Sequence, residues 1–227
     1  TDILMLSLAS DPPYVDLSTT SIYGRAAWGS LAYLLKNAAS SLLDVGGDEF
    51  SVGLHTVQED GQSRGSIFLA DALENGAGYS RWLAQNMSEF IEECQTYAQD
   101  LAEHNREGGA ECDSSCYACL RDYGNRSWHP LLDWKLATQM LTLATEGTFD
   151  LEALPSTFDA SVEGFIQDFS SGAFPINIEY VNSLPYFTRK DRAVAIAHPL
   201  EASHPQKCSP RIADFITGTN DGIVTTY

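Results

Sequence analysis

Three cysteines fall within eight positions, at Cys112, Cys116 and Cys119, in the run Cys112-Asp-Ser-Ser-Cys116-Tyr-Ala-Cys119. A tight loop that presents three thiols to one point suits a soft, tetrahedral ion such as zinc. No long loop has to close for these ligands to converge. The chain has five cysteines in all, the other two being Cys94 and Cys208. An odd number with three packed together does not resemble a secreted disulfide framework. It reads as a thiolate site in a reducing compartment, hence the cytoplasm.

The fourth ligand is not adjacent. Cys94 lies on the apolar stripe of a helix and about 15 Å before that helix ends, at about 1.5 Å per residue, so it reads as a buried core thiol. His104 closes the same helix. His129 follows Cys119 by ten residues and precedes the next helix. Either histidine is expected to reach the loop, and we place the fourth ligand at His129, ahead of His104 and Cys94. The same Cys-x3-Cys-x2-Cys spacing also binds the four-iron cluster of radical-SAM enzymes. Those enzymes place it early, after the first strand of a large barrel, whereas here it follows a long helix and leaves 108 residues downstream.

Around this loop the pattern is mixed. A strand is expected at 2–9, a helix from Gly24 to Val45 with apolar residues at three- and four-residue steps, and a hairpin from 50–57 and 66–73. Gly76-Ala-Gly78 reads as a plain strand-to-helix turn. A long helix from Tyr79 to His104 follows, then the cysteine segment, then a helix starting at Pro130, a residue favoured in a first turn. Glu146-Gly147 marks the boundary between a domain at 1–145 and a tail at 146–227. In the tail we expect a short helix at 162–169 and strands at 176–181, 186–187 and 193–197. The class is α/β or α+β, a mixed sheet with long helices, and the zinc loop lies between two of them.

The 227 residues carry 31 acidic and 13 basic side chains, a formal charge of -18. Such a surface repels phosphate on average, because affinity for nucleic acid comes largely from Lys and Arg releasing counterions. A DNA grip by this chain alone is therefore not expected. The local exceptions are Arg121 and Arg126, beside the cysteines, as phosphate contacts. Arg189-Lys-Asp-Arg192 reads as a solvated turn, and His198 has no identified catalytic partner. No apolar run of 18 residues is present, so no spanning helix and no membrane partner is expected. The chain opens on Thr1, so it reads as processed or as a piece of a longer protein.

The run from Cys112 through Cys119-Leu-Arg-Asp-Tyr-Gly-Asn125, followed by His129-Pro-Leu-Leu-Asp-Trp134, resembles the zinc-binding C-terminal domain of unknown function appended to many DEAD/DEAH-box helicases. These include the mitomycin-repair helicases and the helicase-associated component of DISARM-type antiphage systems. Gly24-Arg-Ala-Ala-Trp28 and the stretch from Ile67 to Tyr79 are similar to that family as well. The resemblance covers most of residues 1–145, and the tail matches loosely. It implies a zinc-binding accessory role in DNA repair or antiviral defence, with a helicase motor domain or subunit as partner and DNA met through the complex. The repair branch carries a further cysteine where this chain has Ala110, which favours three cysteines and one histidine here. No Gly-x4-Gly-Lys-Ser/Thr loop and no Asp-Glu-x-Asp/His box occur. The motor is thus expected elsewhere, and this chain is read as non-catalytic. The other readings are a free-standing interaction subunit of a defence complex, or an iron–sulfur enzyme.

Overall fold

The computed structural model describes residues 2–9, 11–59, 62–73, 76–104, 112–149, 151, 177–189, 192–202, 207–219 and 222–226. They form two compact units. The first takes in residues up to 11 and 17–148. The second takes in 12–16 and the residues from 149 onward.

In the first unit, β1 (Ile3–Ser7), β2 (Phe50–Glu59) and β3 (Gln62–Asp71) form an antiparallel sheet in the order β1-β3-β2. The hairpin register sets Leu54 opposite Ile67 and Val52 opposite Leu69, which puts these four residues on one face. Against the sheet lies α1 (Ile22–Leu43), which also packs on α3 (Met87–Glu103) and α4 (Trp134–Glu146). Two local devices delimit α1. Ser21 Oγ accepts the Gly24 N–H at 2.9 Å, and Asp44 takes the left-handed conformation that stops the helix. Because α1 is surrounded, it is buried at nearly every position from Gly24 to Leu35 rather than along a stripe. The all-antiparallel sheet makes this unit α+β.

Two helix boundaries differ from the periodicity. The helix expected from Tyr79 to His104 is two helices, α2 (Tyr79–Gln85) and α3, broken at Asn86. The Asn86 side chain donates to Trp82 O at 2.8 Å, competing with the backbone ladder. The last helix begins at Trp134, not Pro130. Asp133 caps it, its Oδ1 accepting from Lys135 N at 2.7 Å, while the preceding residues form a short 3-10 turn at Tyr123–Trp128. The Gly76–Gly78 turn is a plain one, because Asp71 occupies the start of α2. Its carboxylate accepts from the N–H groups of Gly78 (2.7 Å), Tyr79 (3.2 Å) and Ser80 (2.8 Å). These bonds outweigh burial and lower the Asp71 pKa.

Strand β3 passes directly under the Trp28 indole. A Cβ on Gly65 would lie 2.5 Å from Trp28 Cε2, and Trp28 cannot swing away because its Nε1 donates to Leu17 O at 3.0 Å. Gly65→Ala is expected to cost about 1–3 kcal/mol as overpacking, read as a lower urea midpoint with an unchanged slope. An unshifted midpoint would mean that strand and indole move apart freely.

In the second unit, β4 (Ile178–Val181), β5 (Leu184–Arg189), β6 (Arg192–Ala197) and β7 (Ile223–Thr226) form a sheet in sequential order. The first two pairings are antiparallel, and β6–β7 is parallel. The parallel step requires a crossover, which α5 (Pro210–Gly218) supplies. Its Ile212 and Phe215 pack on Leu184, Ala193, Ala195 and Ala197. The segment 12–16 joins this unit through a Val15–Glu201 bridge, with Asp16 N donating to Leu200 O at 2.8 Å. The helix expected at 162–169 lies outside the described residues.

Candidate metal centre

The cysteine loop folds by local rules. Cys116-Tyr-Ala-Cys119 closes into a turn in which the Cys119 and Arg121 N–H groups both donate to Cys116 O, at 3.1 and 3.0 Å. The turn aims the Cys116 N–H at Cys119 Sγ, 3.0 Å away. Around it, three helices take hold of the loop backbone. From α1, Asn37 Nδ2 donates to Cys119 O at 2.9 Å. From α3, the Tyr97 hydroxyl donates to the same oxygen at 3.0 Å. From α4, the Trp134 indole N–H donates to Cys112 O at 2.9 Å, and its backbone N–H donates to Ser114 O at 2.8 Å.

Four donor atoms meet inside this frame. The sulfurs of Cys112, Cys116 and Cys119 and a ring nitrogen of His104 all lie within 4.8 Å of one another. The Cys112 and Cys119 sulfurs are 3.8 Å apart, and His104 Nε2 is 3.9 Å from Cys116 Sγ. Tetrahedral zinc with bonds of about 2.3 Å to sulfur and about 2.0–2.1 Å to nitrogen sets edges of about 3.8 and 3.6 Å. The donors therefore stand close to the spacing that zinc requires. His104 is oriented for the task. Its Nδ1 faces the Leu101 carbonyl, which can only accept, so Nδ1 carries the proton and Nε2 keeps its lone pair toward the sulfurs. Its ring also packs edge-on against Trp134, centroids 5.9 Å apart.

The electrostatics also call for a cation. Burial, then the charge of Cys119, pushes the Cys112 thiol far above its ordinary range. Cys119 is raised as well, chiefly by burial. Only Cys116 is lowered: burial opposes ionisation there, but the Ala118 N–H and the Cys119 and Cys112 thiols donate to it and prevail. Three sulfurs this close cannot all ionise without a positive charge among them, and a bound divalent ion removes that obstacle.

The other expected residues lie apart from the donors. His129 is not drawn in. Its Nε2 donates to Asp122 O (3.0 Å) and Asn125 Oδ1 (2.8 Å), which ties it into the 3-10 turn. Cys94 is 1% exposed on α3, beside an apolar core cavity of about 150 Å³. Burial, then Glu93, pushes its thiol up to about 12, so it stays protonated as a core residue. Arg121 Nε donates to Ser115 Oγ at 2.9 Å, bracing the loop from inside. Arg126 is exposed and lies over the Tyr123 ring. Ala110 lies outside the described residues. Sequence reasoning missed Asn37 and Tyr97. A signal existed, since Asn37 is a polar residue flanked by the apolar Leu34, Leu35, Ala38 and Ala39.

The matches with known proteins bear on this region. Over 175 residues, 74% of this chain, the sequence is 34% identical to the Druantia protein DruE of Escherichia coli (strain UMEA 4076-1). The matched stretch is 9% of that protein's length. No solved structure matches. Residues 31–120 match the family model described as the MrfA Zn-binding domain, a span that contains all four donors and ends before His129. With zinc-compatible donors in place, the geometry and the family match agree that residues 31–120 are similar to the MrfA Zn-binding domain.

Proposed function

We propose that this chain is a non-catalytic accessory module of an ATP-driven, helicase-based antiviral defence machine, and that its zinc is structural. The observation that carries the reading is the convergence of His104, Cys112, Cys116 and Cys119 within 4.8 Å. Four protein donors fill a tetrahedral shell and leave no position for water or substrate, as in structural rather than catalytic zinc sites. When bound, zinc would supply a crosslink between the end of α3 and the cysteine loop. Asn37, Tyr97 and Trp134 then carry that rigidity into the three-helix core.

The helicase partnership rests on the resemblance of the Cys112–Trp134 segment to helicase-appended zinc domains, and on the likeness to the Druantia protein. The motor would lie on another segment or on a partner chain, in the reducing cytoplasm. Among the described residues no helix is long and apolar enough to cross a membrane. Partner docking and DNA guidance are the roles that such a rigid appendage serves.

Elemental analysis of three proteins tests the ligand set. The native chain is expected to hold about one zinc, with no broad visible absorbance of the iron–sulfur kind. His104→Ala should weaken zinc by more than the roughly 10–100-fold typical of losing an outer hydrogen-bond partner. His129→Ala should keep full zinc. Zinc lost from His129→Ala but retained in His104→Ala would exchange the two histidines. Iron with a brown colour would overturn the zinc reading altogether.

A further inference from the structure

Beside the metal centre the surface carries an unusual group of side chains. Tyr117, inside the cysteine loop, is 59% exposed, and Tyr123, just after it, is 76% exposed. Their ring centroids are 5.4 Å apart with planes inclined at 37°. The His129 ring stands edge-on to Tyr117 at 5.6 Å. The Arg126 guanidinium sits over Tyr123, 5.1 Å from its centroid. The three rings and the cation form one continuous, solvent-facing platform.

The platform is held in shape. Tyr117 is carried by the turn between Cys116 and Cys119. Tyr123 opens the 3-10 turn capped by Asp122, whose Oδ1 accepts from Gly124 N (2.6 Å) and Asn125 N (2.8 Å). His129 is pinned through Nε2. Asp122, the acid closest in sequence to Tyr123, is paired with Lys36 at 3.3 Å, which reduces its repulsion of an anion. Rings presented this way lose little conformational entropy on binding.

We infer that the Tyr117–Tyr123–His129 platform, with Arg126, is a stacking surface for unpaired bases of single-stranded nucleic acid. Exposed aromatic faces beside an arginine are the groups on which bases of any sequence stack. In a duplex those base faces are covered by their neighbours, so the platform selects single strands. The charge of -18 fits this mode better than a phosphate grip. Contact through ring faces needs few cations, so binding should depend only weakly on salt, with a slope set by one or two phosphates. The inference deepens the proposed function by naming what the accessory module would touch, and it rests on that reading.

The test uses the full zinc-loaded chain and a labelled oligothymidylate, read by fluorescence anisotropy against a duplex of equal length, with zinc content measured on every variant. The single strand is expected to bind more tightly than the duplex, with a shallow salt slope. Tyr123→Ala should weaken it about tenfold, within the usual range for one stacked base, and Tyr123→Phe should restore binding. Should alanine at 123 disturb the loop, photocrosslinking a bromouracil oligonucleotide to the native chain decides instead, with adducts expected at Tyr117 or Tyr123. Adducts confined to other residues, equal binding of duplex, or binding of a proline-rich peptide and no oligonucleotide would each overturn the inference. Normal zinc content alongside such a result would leave the zinc module standing, so the two failures are distinguishable.

Discussion

Cys116→Ser is expected to release the metal and to lower the melting midpoint by about 10–20 °C. Apparent binding free energies for structural zinc are about 10–16 kcal/mol, and because the site is not preformed in the unfolded chain, that free energy is folding free energy. Here the metal would join α3 to a loop that α1 and α4 also hold. Without the metal, the buried Cys112 and Cys119 revert to thiols, and the loop keeps only its backbone bonds. The apolar contacts of α1 survive, so a loss of about 5 kcal/mol, rather than complete unfolding, is the expected scale. At about 2–4 °C per kcal/mol for a chain of this size, that gives the stated shift. Chelation of the native protein should reproduce it. Calorimetry of both samples is the check, and a Cys116→Ser chain that melts normally with full zinc would refute the structural role.

Glu201→Ala is expected to destabilise the second unit by about 3–5 kcal/mol. The Glu201 and Arg211 side chains are 0% and 5% exposed and form an ion pair. Glu201 Oε1 also accepts from Arg211 Nε at 2.8 Å and from the Ser209 hydroxyl. Removing the carboxylate leaves a buried guanidinium uncompensated, and Arg211 Nη1 already lacks a hydrogen-bond partner among the described residues. The combined change Glu201→Met with Arg211→Leu should recover most of the loss, because an apolar pair of similar volume avoids both desolvation costs. If the single and double changes melt alike, the pair is not what matters there.

His198 adds a pH signature to the same unit. Burial first, against the attraction of Glu201 and with the repulsion of Arg211, lowers its pKa to about 4. Its Nδ1 accepts from Leu200 N at 3.1 Å, which requires the neutral ring. The unfolded chain takes up a proton near pH 6.5 and the folded one does not, so the contribution is fully present above about 6.5 and is lost as pH falls toward 4. The cost by pH 4 is about 3 kcal/mol. His198→Asn should flatten that part of the stability profile in denaturant titrations at a series of pH values.

The periodicity of α1 and the alternation of the β2–β3 hairpin were legible because each depends on neighbours a few residues away. The break at Asn86 was not, since the apolar stripe runs through it and only the folded backbone shows Trp82 O shared by the Asn86 side chain and its own N–H. Pro130 looked like a helix start because proline suits a first turn. Asp133 overrode it by capping α4 three residues later.

The metal site divides in the same way. The spacing of Cys112, Cys116 and Cys119 by itself determined that three sulfurs converge, because eight residues in a tight turn bring them together whatever the remainder of the chain does. The fourth donor was a tertiary matter. His129 lies ten residues after Cys119 and His104 eight before Cys112, so chain distance barely separates them. Packing of α3 on α1 and α4 carries His104, the residue that caps α3, to the sulfurs, and the Leu101 carbonyl turns the ring to present Nε2. Asn125 meanwhile claims the His129 nitrogen for its own turn. Local spacing could fix a turn; only the packing of helices distant in sequence could bring one histidine to the sulfurs and keep the other away.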